Sequence, residues 1–382
     1  DQNSSKDQPK PAKAAEGSEP RVCTDKNFLA TYYKNSRLHH LSEWKKMFQE
    51  ALLKDINPLI DSSPNPAGNP EVFFHVDMDC FFASVAARYH PEIRGLPVAV
   101  SHSRNASGSA DIAACNYQAR EFGVKNGMWV RSAMKLCPTL QIVGYDFDKY
   151  EKVSRILFKL LLRYSPKIQI LSCDEAFMDV SKIEDHETIA MSLREDILNH
   201  TGCTASIGIG GNRFLARMAT KKAKPDGQFC IKPNQVTEFL APLSVRELPG
   251  VGRKFQHKLE AKRITTVGEL LNYPLEWLQK EFGTKSGEML FQFARGKDPR
   301  NFTDDTSRKS LGVDCNWGIR LNTIEETFTF LKQLAEELSS RLASASVVIG
   351  SLSLKVRVIS TPFRKPIHII TNNCRYGKKM HQ

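Results

Sequence analysis

Asp77 interrupts the apolar run FFHVDMDCFF, and much later Asp174 and Glu175 stand side by side between IQILSC and AFMDV. Burying an unpaired carboxylate costs several kcal/mol or drives it neutral, so acids at the ends of hydrophobic strands require a counter-charge. Neighbours on a strand face opposite ways, and Asp174 and Glu175 can reach one site only where a strand begins or bends. Three hard oxygen donors of this kind suit Mg²⁺, which binds through a few carboxylates together with substrate phosphates. Two such ions would activate an attacking hydroxyl and stabilise a leaving pyrophosphate. Either motif alone reads more simply as exposed turn carboxylates, and the two together reverse that preference. Asp79, two residues beyond Asp77, is expected to cap the helix that follows.

Phosphate ligands come next. In CNYQAREFGVKNGM, Tyr117 and Arg120 lie three apart and share a helix face, offering a hydroxyl and a guanidinium fork. In ARMATKKAKPDG, Lys221, Lys222 and Lys224 close a helix before a Pro and a Gly enforce a turn. Lysines there also fit an ordinary solvated helix end. LPGVG, with Gly250 and Gly252 followed by Arg253 and Lys254, has the spacing of a helix-hairpin-helix, whose turn offers backbone amides to DNA phosphates without reading sequence. A plain helix–helix turn has the same glycines.

These residues need a frame. Alternation and apolar periodicity predict helices over 80–88, 113–122, 130–136, 146–163, 186–199 and 212–224, with strands at PVAVS, IQILSC, AFMDV and TASIGIG. The segment 28–54 reads as two helices broken at KNSRLHH, and HSRNASGSA reads as a polar loop. From Pro242 the chain turns to short helices, and after Ser307 a last piece offers strand, helix and strand. The pattern is α+β, with acids at strand ends.

Length and composition set bounds. With 382 residues the chain exceeds one ordinary core, and a length prior gives about two to four domains. Its longest apolar stretches, such as VVIGSLSL, fall short of the about 20 residues a bilayer span requires, and DQNSSKDQPK lacks a signal-peptide core. Nine scattered cysteines without a C-x-x-C pair argue against a disulfide framework or structural zinc and favour a reducing compartment. The net charge is +12, and from Arg341 to Gln382 there are eight Lys or Arg and no Asp or Glu, an electrostatic footprint for a polyanion. No membrane association is expected.

In this order, FFHVDMDCFF, ACNYQAREFGVKNGM, SCDEAFMDV, ARMATKKAKPDG and LPGVG resemble the Y-family translesion DNA polymerases over roughly residues 70 to 360. The resemblance implies a right hand of palm, fingers, helical thumb and little finger, with two Mg²⁺ ions, for which Mn²⁺ can stand in. It maps metal ligands onto Asp77, Asp174, Glu175 and the Met78 carbonyl, and nucleotide contacts onto Phe81, Phe82, Tyr117, Arg120 and Lys224. Phe82 would be the steric gate against a ribose 2′-OH; core packing is its simpler role. Cys80 replaces the aromatic residue of many relatives, and Ala114 lacks a hydroxyl that could assist phosphate binding.

NSRLHHLSEWK resembles the N-terminal element of the deoxycytidyl transferase branch. There an arginine, here Arg37, pairs with the incoming dCTP, and Leu38 occupies the place of the evicted template guanine. A guanidinium carries only donors, and cytosine offers O2 and an unprotonated N3, whereas thymine presents an N3–H. Unpaired donors in a buried site discriminate strongly. The expected divisions are a disordered lead-in at 1–24, an N-terminal element at 25–55, a linker at 56–70, palm at 71–100 and 166–241, fingers at 101–165, thumb at 242–306 and little finger at 307–382. About half of a little finger is expected in this stretch. The BRCT module and the C-terminal modules that bind ubiquitin and accessory polymerases are not expected, so clamp and polymerase partners would act through parts not present here. The implied partners are primer-template DNA and dCTP, and the implied location is nuclear. An ordinary template-pairing Y-family polymerase and a non-catalytic DNA-binding scaffold remain alternatives.

Overall fold

The computed structural model describes residues 22–55, 70–103, 110–300, 302, 310–359 and 366–375. Most of the expected lead-in, linker and polar loop, and the last basic residues, lie outside them. The chain divides into two compact units, residues 35–305 and residues 1–34 with 306–382. Its helices are α1 (Phe28–Lys34), α2 (Arg37–Asp55), α3 (Phe81–Tyr89), α4 (Tyr117–Glu121), α5 (Val130–Leu136), α6 (Phe147–Tyr164), α7 (His186–Thr201), α8 (Arg213–Ala223), α9 (Val236–Leu240), α10 (Arg253–Glu260), α11 (Val267–Leu270), α12 (Leu275–Phe282), α13 (Thr284–Ala294) and α14 (Ile324–Ser344). Its strands are β1 (Phe73–Met78), β2 (Val98–Val100), β3 (Ala114–Cys115), β4 (Gln141–Val143), β5 (Ile168–Ile170), β6 (Glu175–Asp179), β7 (Ala205–Gly210), β8 (Gln228–Cys230), β9 (Ser351–Ile359) and β10 (Pro366–Arg375).

The larger unit is organised by a five-stranded sheet in the order β5-β6-β1-β7-β8, antiparallel except where β7 meets β8. The two-residue alternation of β1 sorts its side chains. Phe74, Val76 and Met78 enter the main core with the buried faces of α6 and α7, including Leu157, Leu161, Leu193 and Ile197. On the other face His75 meets Thr220 of α8. That helix lies close to the sheet because β7 presents glycine toward it. A methyl on Gly208 would collide with the Ala216 carbonyl and the Thr220 amide, and one on Gly210 would come within 2.7 Å of the Ala216 nitrogen. Asn212 fixes the start of α8 by accepting the Leu215 N–H at 2.9 Å.

A three-stranded sheet, β3-β2-β4, carries its own core of Ala99, Ile112, Cys115 and Val130. A further core of Leu248, Leu259, Leu278 and Phe293 unites α9 to α13 with residues of α8. The break in the first helical segment is only Asn35 and Ser36, narrower than expected, so Arg37 opens a helix.

In the smaller unit, Phe28, Tyr32 and Tyr33 pack with Phe330, and Trp317 meets Phe28 edge-on at 5.5 Å. Here the expected strand, helix and strand are corrected: α14 comes first, then an antiparallel hairpin of β9 and β10. No strand forms over residues 310–323, where backbone groups bond to the N-terminal segment. The Cys23 N–H donates to the Gly318 carbonyl at 2.8 Å, and the Asn316 N–H to the Tyr32 hydroxyl at 3.2 Å. Among the described residues no helix is long and apolar enough to cross a membrane, and Cys23, Cys80, Cys115, Cys137, Cys173, Cys203, Cys230 and Cys315 are free thiols.

Candidate active site

Asp77 lies directly opposite Glu175 in the β1–β6 register. The Met78 N–H donates to the Asp174 carbonyl at 3.0 Å, holding the residue just before β6 at the same strand end. The sequence therefore brings its three candidate ligands together by pairing two strand ends, and Asp174 escapes the opposite-face problem by preceding the strand. Lys224, the C-cap of α8, reaches back so that its Nζ is 2.5 Å from Asp77 Oδ1. The Ser172 hydroxyl donates to Asp174 Oδ1 at 2.5 Å.

Glu175 is held differently. Its Oε1 lies 2.7 Å from His75 Nε2 and 2.8 Å from a terminal nitrogen of Arg217. His75 is 1% exposed, and burial lowers its pKa despite the adjacent carboxylate. A neutral ring beside an acceptor-only carboxylate carries its proton on Nε2, leaving Nδ1 to accept from the Thr220 hydroxyl 2.8 Å away.

The three acids differ in charge accordingly. Burial pushes Asp77 up to about 6, with Lys224 opposing and Asp174 reinforcing the rise. Burial also raises Asp174, against the Ser172 hydrogen bond, and the Glu175 charge adds to it. For Glu175 burial is again the largest influence and acts upward, but the His75 hydrogen bond and the charges of His75, Arg217 and Lys224 together bring it below the usual range. Clustered, half-buried oxygens whose charges oppose one another are the donor chemistry of a hard divalent cation. Among the described residues no three His, Cys, Asp or Glu side chains converge on one cation position. Lys224 engages Asp77, and His75 with Arg217 engages Glu175.

The phosphate candidates gather nearby. The Arg120 guanidinium sits 4.8 Å from the Tyr117 ring centre, and its Nε donates to the Cys115 carbonyl at 3.2 Å. Burial raises the Tyr117 hydroxyl pKa, and the charges of Asp79, Cys80 and Asp77 also push it upward. Phe82 is half-buried, its ring 4.6 Å from Tyr150 and edge-on to Tyr145 at 6.4 Å. The Phe81 ring beside it is 3% exposed and packs in the main core. Arg37 is half-buried in the first turn of α2, and its charge reaches the Tyr145 phenol. Leu38 beside it is 63% exposed. In α10, Gly252 is the N-cap and Arg253 and Lys254 are exposed, while Gly250 adopts φ +85°, a conformation that favours glycine.

Asp79 corrects an expectation. Cys80, not Asp79, is the N-cap of α3, without a side-chain cap. Asp79 is 2% exposed. Its Oδ1 accepts from the Ser206 hydroxyl at 2.9 Å and its Oδ2 from the Asp226 N–H at 2.8 Å, so it ties β1 to β7 and to the turn that carries Lys224. His75, Arg217 and Thr220 were not singled out from the sequence, although the signal was there. His75 is two residues before Asp77 on one strand face, and Arg217, Thr220 and Lys224 recur at helical spacing.

The impB/mucB/samB family model matches residues 76–221, a DNA polymerase-iota thumb-domain model matches 246–298, and the impB/mucB/samB family C-terminal domain model matches 308–376. A DNA repair protein REV1 from Arabidopsis thaliana is 43% identical over 87% of this chain and 31% of its own length. Its counterpart from Schizosaccharomyces pombe is 39% identical over 90% of the chain and 38% of its own. The chain thus spans between 31% and 38% of these two relatives. A DNA polymerase IV from Shewanella oneidensis is 41% identical over 71% of the chain and 76% of its own length. A solved Y-family DNA polymerase chimera, 25% identical, superposes with a TM-score of 0.69 over 80% of this chain and 88% of its own. The α+β right-hand fold expected from the sequence is the fold of that chimera. With the acids of β1 and β6 meeting at one strand end and these relatives spanning the same residues, the chain belongs to the Y-family of DNA polymerases.

Proposed function

We propose that the chain is a template-dependent DNA nucleotidyltransferase of translesion synthesis that prefers to insert dCMP opposite guanine, abasic and damaged positions. The observation carrying this reading is the meeting of Asp77, Asp174 and Glu175 at one strand end beside Lys224; Arg37 on α2 reaches Tyr145 by its charge, and Tyr145 meets Phe82 edge-on. The primer 3′-OH attacks the α-phosphate in line, forming the new phosphodiester bond as pyrophosphate leaves. Asp77, Asp174, Glu175 and the Met78 carbonyl would hold two Mg²⁺ ions, which when bound lower the pKa of the 3′-OH and neutralise the leaving group. Lys224, Arg120 and Tyr117 bind the triphosphate, and Lys224 passes from Asp77 to phosphate oxygens. Phe82, braced by Tyr150 and Tyr145, fills the space of a ribose 2′-OH. Arg37 donates to cytosine O2 and N3, and the exposed Leu38 takes the place of the displaced guanine.

Residues 71–100 and 166–241 would then form the palm, 101–165 the fingers, 242–306 the thumb and 307–382 part of the little finger. A nuclear location fits the eukaryotic REV1 relatives. The identity to DNA polymerase IV favours a second reading, insertion by ordinary template pairing without the arginine.

Single-nucleotide insertion tests both. Wild type should favour dCTP opposite every template base, and Arg37→Ala should lose that preference before it loses DNA binding. Equal use of each cognate dNTP opposite A, T and C by the wild type would sink the arginine reading. Asp174→Asn with Glu175→Gln should abolish extension while primer-template binding persists; wild type and variant equally inactive, both binding DNA, would indicate a scaffold.

A further inference from the structure

Base selection by Arg37 requires its guanidinium to be held to within a fraction of an ångström, and the structure contains a device for this that the proposed mechanism leaves unused. Arg37 opens α2, and His40, three residues on, lies on the same helix face. The His40 ring stacks on Phe147 of α6 with centroids 4.0 Å apart and planes 23° from parallel. Phe147 in turn stacks on Tyr145 at 5.2 Å and 18°. Tyr145 is the residue whose edge meets Phe82, and it also feels the Arg37 charge. A continuous row of rings, His40, Phe147, Tyr145 and Phe82, therefore joins the first turn of α2 to the proposed sugar gate.

Deeper in α2, Trp44 is 4% exposed and Phe48 packs on Phe158 at 5.2 Å, so the helix is already anchored to α6 without His40. What His40 adds is angular control at the end that carries Arg37. A helix fixed only at its second and third turns frays at its first, and a flat ring pinned between that turn and Phe147 suppresses the fraying.

We propose that His40 is a positioning residue for dCTP selection, registering Arg37 against the sugar gate through the ring stack His40–Phe147–Tyr145. This rests on the reading of Arg37 given above. A displacement of about 1 Å in a positioned group costs on the order of a hundredfold in rate. His40→Ala should therefore lower the ratio of kcat/KM for dCTP over dTTP by about tenfold or more, with insertion of the other three nucleotides nearly unchanged. His40→Phe, which keeps a flat ring, should restore most of the ratio.

The test measures that ratio for wild type, His40→Ala, His40→Phe and Arg37→Ala, with primer-template affinity and melting temperature alongside. A ratio retained by His40→Ala would overturn the proposal, as would a proportional loss for all four nucleotides, which marks a structural role. Failure of His40→Phe to recover the ratio while folding normally would also overturn it. If Arg37→Ala itself keeps the preference, the reading of Arg37 falls and the role of His40 falls with it. If Arg37→Ala loses the preference and His40→Ala does not, only the role of His40 falls.

Discussion

Asp77 and Asp79 leave the same strand end with opposite duties. Asp77 faces α8 and meets Lys224, whereas Asp79 is consumed by Ser206 and the Asp226 backbone. Hydrogen bonds to a buried charge are worth roughly 1.5–3 kcal/mol each, so Asp79 fixes the turn after Lys224 more firmly than a cap would. Asp79→Ala is expected to lower stability by about 2–4 kcal/mol and to raise the KM for the incoming nucleotide more than it lowers kcat. Steady-state insertion kinetics beside a denaturant melt check this; a destabilised variant with unchanged KM would leave Asp79 structural only. The duty of Asp79 was not legible because its partners, Ser206 and Asp226, are remote in sequence, and the left-handed backbone of Cys80 shifts the helix start by one residue. Asp77, Asp174 and Glu175 were legible because charge inside an apolar strand needs an explanation that composition alone cannot supply.

The pairing of α8 with β7 decides whether the site exists. One helix face delivers Arg217 to Glu175, Thr220 to His75 and Lys224 to Asp77, all enabled by the missing side chain of Gly208. Gly208→Ala is expected to force α8 off the sheet, costing about 1–3 kcal/mol or more. Insertion activity should fall further than the melting temperature implies, because three contacts move together. Primer extension and thermal denaturation on one preparation test this, and an active, merely less stable variant would contradict it. Elements with strong periodicity, such as α6 with its regularly buried Tyr150, Val153, Leu157 and Leu161, were legible within a residue or two. The segment before α14 was not, since its backbone partners belong to residues 22–33, an association that no local pattern encodes.

For the whole molecule, charge matters more than any single contact. A net charge of +12 suits a polyanionic partner, and the exposed Arg253 and Lys254 stand where α10 presents its first amides. Replacing both by alanine should weaken primer-template binding about equally across sequences and reduce the slope of log affinity against log salt by roughly 1–2. Titrations at several salt concentrations measure it; an unchanged slope would remove these residues from the DNA contact. The alternation of β1 has a consequence for descent as well. With Phe74, Val76 and Met78 in the core and His75 and Asp77 on the α8 face, substitutions in this strand can be graded, but its length cannot change. In-frame loss of one codon at Phe74 or His75, with Phe73 held in register, would exchange the faces of the rest of the strand, turning Val76 and Met78 toward α8 and Asp77 into the core. Apolar exchanges at Phe74, Val76 and Met78 keep the faces of β1 in place, and a change in its count does not.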